Sequence, residues 1–144
     1  MAEIRNRFYR VSVKALILNE TRDKFLLCKQ GNGVWDLPGG GLDWGAKAHP
    51  ELQREILEEM NIMTTTVADN PSYFLGGCQM TNDPNFWVVN VVYEVELEHL
   101  DFTTSDECVE IRFVNQADIA ALTSIPPTVA ELAEQFDPRN HTEI

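Results

Sequence analysis

The sequence predicts an α/β fold in which helices cover a mixed β-sheet. Apolar residues alternate with others along residues 11–18, which is the pattern of a strand. Leu52, Ile56 and Met60 recur at every fourth position, which predicts an amphipathic helix with one buried stripe. The chain after that helix is rich in strand-forming residues, and helices that interrupt a mainly β chain are typical of layered α/β domains. We expect one domain over residues 1–144.

The first half of the chain is predicted to contain two strands, a glycine-rich loop and one helix. The strands cover residues 11–18 and 24–29, and a turn at residues 19–23 joins them. Pro50 fits the first turn of the helix, where its lack of an N–H group is tolerated. The helix ends at Met60, because Asn61 adopts the left-handed conformation that closes helices more readily than most residues do.

The second half is predicted to be mainly β, with strands at residues 64–67, 73–80, 86–97 and 109–114 and a turn at residues 81–85. Residues 86–97 are almost continuously apolar, which predicts a central strand buried on both faces. Asn115 is expected to cap a short helix that runs through Leu122. The last helix is expected to begin near Pro126, and the polar tail from Asp137 is expected to fray.

Composition narrows the classes of partner and the cellular location. The 23 acidic and 11 basic residues give a net charge of −12, which argues against binding duplex nucleic acid through its phosphates. A nucleotide stays compatible, because a bound cation inverts the local charge. The three cysteines form no C-x-x-C pair, which indicates reduced thiols. No apolar run has the length of a signal peptide core or a membrane span. We therefore expect a cytoplasmic protein without a membrane partner.

Three carboxylates lie within residues 54–59. Helical spacing places Glu55, Glu58 and Glu59 on one side of the predicted helix, where their like charges repel. For glutamates alone, a solvated acidic face is the simpler interpretation. The glycine-rich residues 37–45 directly precede the helix, however, and such loops can receive phosphate oxygens. Together the two segments predict a site for a divalent cation bound to a polyphosphate.

Residues 40–62 resemble the Nudix box, G-x5-E-x7-R-E-U-x-E-E-x-G-U, in which U is a bulky aliphatic residue. The spacing matches without a gap, and the lead-in residues 34–40 also look like this superfamily. Ala46 stands where the box has its first glutamate, and Asn61 stands where it has its last glycine. Because that glutamate often pairs with the box arginine, Ala46 leaves Arg54 short of one partner. The resemblance implies a Nudix-type α/β/α sandwich.

The resemblance also implies roles for the box residues. Glu55, Glu58 and Glu59 are expected to be metal ligands, with a backbone carbonyl of Gly39 or Gly40 completing the coordination. The expected catalytic residues are Glu55, Glu58 and Arg54. Glu55 is a candidate general base that Arg54 orients, although some family members take the base from a later loop. Mg²⁺ is the expected ion, and Mn²⁺ is a substitute for it.

A further acidic ligand is expected outside the box, in a loop before a late strand. Glu107 is the first choice for this ligand and Glu110 the second. A solvated acidic loop explains both residues equally well.

Candidate substrate-binding residues flank the glycine-rich loop. Gly40, Gly41 and Lys29 are candidates to meet phosphate oxygens, although solvated lysines at strand ends are common. The candidates to stack on a nucleobase are Trp35, Trp44, Phe86 and Trp87, although packing is the commoner role of aromatic residues. Trp35 and Trp44 are the better candidates, because they flank the glycine-rich loop.

The implied function is Mg²⁺-dependent hydrolysis of a phosphoanhydride (pyrophosphate) bond in a nucleoside diphosphate linked to another moiety. Nucleoside triphosphates and nucleotide sugars fit this description. Residues 76–78 lack the proline typical of members that prefer ADP-ribose, which disfavours that substrate. Ala46 motivates an alternative, a catalytically weak Nudix-fold nucleotide-binding or regulatory module. In both cases the partner is a nucleotide-type small molecule, and homodimers are common in the family.

Overall fold

The computed structural model describes residues 8–80 and 83–144. The helices and strands of this part of the chain are β1 (Phe8–Leu16), β2 (Phe25–Lys29), β3 (Trp35–Asp36), β4 (Gly39–Gly41), α1 (Ala48–Met60), β5 (Thr64–Val67), β6 (Tyr73–Gln79), β7 (Phe86–Leu97), β8 (Glu110–Val114), α2 (Gln116–Ile119) and α3 (Pro127–Gln135). A short 3-10 turn follows at Pro138–Asn140. The predicted turn at residues 81–85 lies partly outside the described residues.

The strands form two sheets, and β7 lies at the centre of the larger one. β1 pairs with β7 in parallel along its whole length, and β4 pairs antiparallel with the other edge of β1. β6 and β5 both pair antiparallel with the opposite edge of β7, each with a different part of it. The smaller sheet has the order β3-β2-β8 and is antiparallel. This mixture of parallel and antiparallel pairs confirms the predicted mixed sheet with a central strand at residues 86–97.

Helix α1 covers one face of the larger sheet through its predicted apolar stripe. Leu52, Ile56 and Met60 are fully buried and belong to one core cluster with Val13 and Ala15 of β1. The helix ends at Met60 as predicted, and Asn61 closes it with φ 56° and a hydrogen bond from its backbone N–H to the carbonyl of Leu57. Because the apolar stripe faces the sheet, the glutamates of α1 lie to the side of it.

Helix α3 belongs to a second core cluster, which α1 does not join. Val129, Leu132 and Ala133 of α3 pack with Leu75 of β6 and Val92 of β7. Helices on two sides of mixed strands make an α/β/α sandwich, and the predicted fold class is therefore confirmed. Within the described residues, no helix combines the length and apolar character that crossing a membrane requires.

The short helix α2 ends earlier than the sequence predicts. Asn115 caps it as expected in a capping box: Asn115 Oδ1 accepts the backbone N–H of Asp118, and the backbone N–H of Asn115 donates to Asp118 Oδ2. The helix stops at Ile119, and a turn continues the chain to Leu122.

The prediction that the tail frays from Asp137 is wrong in the structure. His141 is buried, and its Nε2 lies 2.7 Å from the Tyr73 hydroxyl. Its Nδ1 lies 2.8 Å from Glu94 Oε1, and Arg22 holds the other oxygen of that carboxylate at 2.6 Å. The polar character of the tail did not indicate this anchoring, because its partners come from strands far away in the sequence.

Candidate functional site

Strand β4 brings the glycine-rich loop into contact with helix α1. The backbone N–H of Gly39 donates to Glu59 Oε1 at 3.1 Å. Gly40 lies directly against Glu55, because a Cβ placed on Gly40 would lie 2.6 Å from the carboxyl carbon of that residue. The glycines therefore allow the backbone to approach two glutamates more closely than a side chain would permit.

Three carboxylates from two segments converge beside this strand. Oxygen atoms of Glu55, Glu59 and Glu107 all lie within 4.8 Å of one another. Glu55 and Glu59 are four positions apart on α1, whereas Glu107 comes from the loop before β8. The structure thus brings together two of the three predicted box ligands and the first-choice ligand from outside the box. The second choice, Glu110, is not part of this group, and its Oε2 lies 3.6 Å from Arg112 Nη2.

The loop that carries Glu107 is attached to the end of α1. The Ser105 hydroxyl donates to the carbonyl oxygen of Glu59 at 2.8 Å, and the N–H of Thr103 donates to the carbonyl of Met60 at 3.1 Å. Ser105 Oγ also accepts the N–H of Cys108 at 3.2 Å, which closes the loop around Glu107. Ser105 is therefore a positioning residue that sequence reasoning missed, although it lies only two positions before Glu107.

The converging carboxylates line an open cleft of about 390 Å³. Its wall includes the predicted residues Gly39 and Gly40, together with Gln30, Asn32 and Asp106, which the sequence did not nominate. The N–H of Gly31 donates to the carbonyl of Asp106 at 2.9 Å, so the loop after β2 and the loop before β8 form one rim. The cleft offers the side-chain amides of Gln30 and Asn32 next to an acidic cluster, which suits a cation with a phosphate ligand.

Glu58 lies outside the converging group. Its carboxylate is about half exposed and accepts a hydrogen bond from Arg54 Nη1 at 2.6 Å. Arg54 also donates to Glu55 Oε1 at 2.9 Å and contacts Glu51. Glu51 therefore provides the partner that Ala46 does not supply. The role of Glu58 as a metal ligand stays a prediction from the resemblance.

Burial raises the pKa of Glu59 to about 8. The side chain has lost most of its water, and the carboxylates of Glu55 and Glu107 add repulsion to its ionised form. The ammonium of Lys14 and the N–H of Gly39 act in the opposite direction. Lys14 is itself buried, and its Nζ lies 3.5 Å from Asp36 Oδ2. A lysine within an apolar strand was the sequence signal that could have identified it.

Glu55 also has a pKa above its ordinary value. Burial is the main cause, and the charges of Glu58 and Glu107 add to it, whereas the guanidinium of Arg54 lowers the pKa. Two carboxylates that resist ionisation beside a third form a cluster that a positive charge would stabilise. The oxygen donors and their spacing fit a hard divalent cation, which Glu55, Glu59 and Glu107 would hold.

The raised pKa of Glu59 predicts that the metal-free protein loses stability as pH rises from about 4.5 to about 8. In that window the folded state retains a proton that the unfolded state has released, so higher pH favours unfolding. The effect on the free energy of unfolding is on the order of a few kcal/mol at pH 8. Thermal denaturation in EDTA at a series of pH values measures it.

Glu59→Gln provides the control for this pH dependence, because glutamine does not titrate. The difference in free energy of unfolding between wild type and variant should shift with pH in this window, in favour of the variant at higher pH. Parallel pH profiles for the two proteins would contradict the prediction. Adding Mg²⁺ should stabilise the wild type most at the higher pH values, where the cluster is most negative.

The predicted substrate residues outside the box lie on the smaller sheet. Trp35 is buried, with Lys29 Nζ 5.9 Å and Arg112 Cζ 5.0 Å from its ring centre. Cation–π contacts of this kind stabilise the indole in place. Roles for Lys29, Trp35 and Gly41 in substrate binding stay predictions. Trp44, by contrast, is fully exposed in the loop before α1.

A family model of the NUDIX domain matches residues 8–136 of the chain. The chain belongs to the Nudix family. The match includes β4, α1 and the loop that carries Glu107, so the acidic cleft lies entirely within the Nudix domain.

Solved structures and a curated relative agree with the Nudix assignment. A MutT protein from Methanosarcina mazei Go1 is 26% identical, with a TM-score of 0.75, over 94% of this chain and 98% of that one. An ADP-ribose pyrophosphatase from Streptococcus suis shares the fold at 21% identity and a TM-score of 0.57, over 94% of each chain. A putative 8-oxo-dGTP diphosphatase from Bacillus subtilis is 43% identical over 44 residues, which cover 31% of this Nudix chain and 30% of that relative.

Proposed function

We propose that this Nudix protein hydrolyses a phosphoanhydride bond in a nucleoside diphosphate linked to another moiety, and that it requires Mg²⁺ for this reaction. The observation that carries the proposal is the convergence of Glu55, Glu59 and Glu107 within 4.8 Å beside the glycine-rich strand β4. The acidic cluster accounts for the cation, and the side-chain amides of Gln30 and Asn32 in the same wall account for the phosphates.

Each group in the cleft has a distinct part in this proposal. Glu55, Glu59 and Glu107 hold the ion, and Glu58 is the further ligand implied by the resemblance. A Mg²⁺ ion at this site supplies neutralisation of phosphate charge and a lower pKa for a bound water. Glu55 is the candidate general base, because Arg54 fixes one of its oxygens at 2.9 Å and leaves the carboxylate beside the cleft.

Nucleoside triphosphates are the first substrates to test. The curated relative from Bacillus subtilis is named for an oxidised nucleoside triphosphate, and the identical residues in the shared segment support this class for the present chain. Nucleotide sugars stay within the proposal, because the same cleft would hold their diphosphate. ADP-ribose is disfavoured, because residues 76–78 do not contain the proline associated with that preference.

A panel of nucleoside triphosphates, nucleotide sugars and ADP-ribose, assayed with and without Mg²⁺, tests the proposed function. We expect release of a nucleoside monophosphate from at least one nucleoside triphosphate, dependence on Mg²⁺ and complete loss of turnover in EDTA. Mn²⁺ should replace Mg²⁺, because both are bound by oxygen ligands. Binding of nucleotides without hydrolysis under every condition would replace this proposal with the alternative of a nucleotide-binding module.

A further inference from the structure

A second cavity lies between the start of β1 and the loop that leads into α1. Its volume is about 630 Å³, which is within the range of small-molecule sites. Its wall differs from that of the acidic cleft, because it is mainly apolar and contains several aromatic side chains. The side chains that give it this character are Phe8, Tyr9, Trp44 and Phe86, with Arg10 and Asp43 as the charged groups.

The aromatic side chains of this cavity present open faces. Trp44 has a relative exposure of 102%, and Tyr9 is exposed at 62%. Phe8 packs on Phe86 with ring centres 5.7 Å apart, so these two form a fixed wall rather than a free pair. Clustered exposed apolar side chains mark surfaces that bind a ligand or partner, and a free indole face suits stacking with another planar ring.

The charged groups of the cavity are held in place but remain able to bind a ligand. Arg10 donates from Nη1 to the carbonyl of Leu42 at 3.2 Å, and its Nη2 lies 3.5 Å from Asp43 Oδ1. Both side chains are substantially exposed. A guanidinium has five N–H donors, and an ionised carboxylate only accepts. The pair therefore matches a planar ligand that carries acceptors and donors on one edge, which is the chemistry of a nucleobase.

Strand β4 connects this cavity to the acidic cleft. Gly40 lies against the carboxylate of Glu55, whereas a Cβ on the next residue, Gly41, would overlap the guanidinium of Arg10. Successive residues of a strand face opposite sides, so the two groups are on the order of 10 Å apart across one strand. β4 is an edge strand of the larger sheet in the described part of the chain. A nucleotide could therefore pass around this edge, with its diphosphate on one side and its base on the other.

Ala46 also lines the cavity, and it is the position at which this chain departs from the Nudix box. A glutamate there would add both bulk and negative charge beside Trp44. The small side chain leaves this space open. The departure that raised a question about activity therefore has a second consequence, because it enlarges a site for an uncharged ring.

We infer that this cavity binds the nucleobase of the nucleotide whose diphosphate lies in the acidic cleft, by stacking on Trp44 and by hydrogen bonding to Arg10 and Asp43. The inference rests on the proposed function and names the part of the molecule that selects the base.

Trp44→Ala tests this inference, with Trp87→Ala as the matched control. Trp87 is also an exposed tryptophan, lies on β7 and does not line the described cavity. The binding probes are an α,β-methylene nucleoside triphosphate, whose bridge resists hydrolysis, and methylene diphosphonate, which has no base. Both are titrated in Mg²⁺ by calorimetry and by tryptophan fluorescence, and KM and kcat are measured separately with the hydrolysable nucleotide.

We expect Trp44→Ala to weaken binding of the nucleotide probe and to raise KM by about tenfold, with kcat changed by less than about twofold. Binding of methylene diphosphonate should not change. Quenching of fluorescence by the nucleotide should disappear in Trp44→Ala and persist in Trp87→Ala. Unchanged nucleotide affinity in Trp44→Ala, or an equal loss for both probes, would overturn the inference.

The same experiment separates this inference from the proposed function. Hydrolysis with an unaltered KM in Trp44→Ala would remove the nucleobase site and leave the proposed function intact. Nucleotide binding that depends on Trp44, in a protein that hydrolyses no nucleotide, would support the nucleobase site and refute the proposed function.

Discussion

Replacing Glu59 with glutamine is expected to lower kcat by roughly a thousandfold on any nucleotide that the wild type hydrolyses. Glu59 is buried between α1 and β4, and glutamine keeps its size while removing the negative charge that would hold the cation. The amide oxygen can still accept the N–H of Gly39, so the fold should persist. Activity assays with saturating Mg²⁺ and circular dichroism of the same samples measure the two effects.

Glu134→Gln is the matched control for this substitution, because Glu134 is an exposed glutamate on α3. It should leave kcat unchanged. Retention of full activity in Glu59→Gln would mean that the buried carboxylate is structural and that the metal site has been assigned incorrectly.

Glu58→Gln tests which of two roles Glu58 has. The Nudix resemblance implies a metal ligand, whereas the structure shows a hydrogen-bond partner of Arg54. The Nudix pattern predicts that the substitution also abolishes turnover, because Glu58 is an expected ligand and catalytic residue. In the structure its carboxylate is bonded to Arg54 rather than to the converging group. Strong loss of activity would show that Glu58 leaves Arg54 when a cation binds, whereas a small effect would limit its role to orienting Arg54.

Gly39→Ala is expected to destabilise the protein by about 3 kcal/mol or more. Gly39 has φ +135°, which L side chains rarely adopt, and a Cβ there would overlap the carbonyl oxygen of Val13 and lie 2.9 Å from the Cα of Lys14. These atoms belong to the backbone of β1, which cannot shift without breaking its pairing with β4. Urea denaturation of wild type and variant measures the change in free energy of unfolding.

Gly33→Ala separates the two causes of this expected loss. Gly33 also has a positive φ, +89°, but a Cβ there would meet nothing within 4 Å. Gly33→Ala should therefore lower the free energy of unfolding only by the conformational strain, about 1 kcal/mol. Equal losses in the two variants would show that overlap with β1 contributes little.

Local signals were sufficient to predict helix α1 and the glutamates on it. The stripe of Leu52, Ile56 and Met60 is buried as its period predicts, and Asn61 closes the helix in the left-handed conformation. The four-residue spacing of Glu55 and Glu59 placed their oxygens together without any tertiary information. These predictions succeeded because they depend on residues within one or two helical turns of each other.

The choice of side-chain partners was less accessible to prediction than the helix itself, both within α1 and between distant segments. The spacing placed Glu58 with its neighbours, but Arg54 holds it away from the converging group. The tail was expected to fray, but Tyr73 and Glu94 anchor His141. In both cases a partner side chain decided the outcome, and hydrophobic periodicity carries no information about which partners meet.

Short-range spacing along the chain was enough to identify the family, the central strand, the acidic helix and the glycines that lie against it. Only the tertiary structure showed that Ser105 joins the Glu107 loop to the end of α1, that burial raises the pKa of Glu59 to about 8, and that Trp44 borders a second cavity. Burial and the meeting of remote segments follow from the packing of the whole chain, and a local pattern of residues does not specify them.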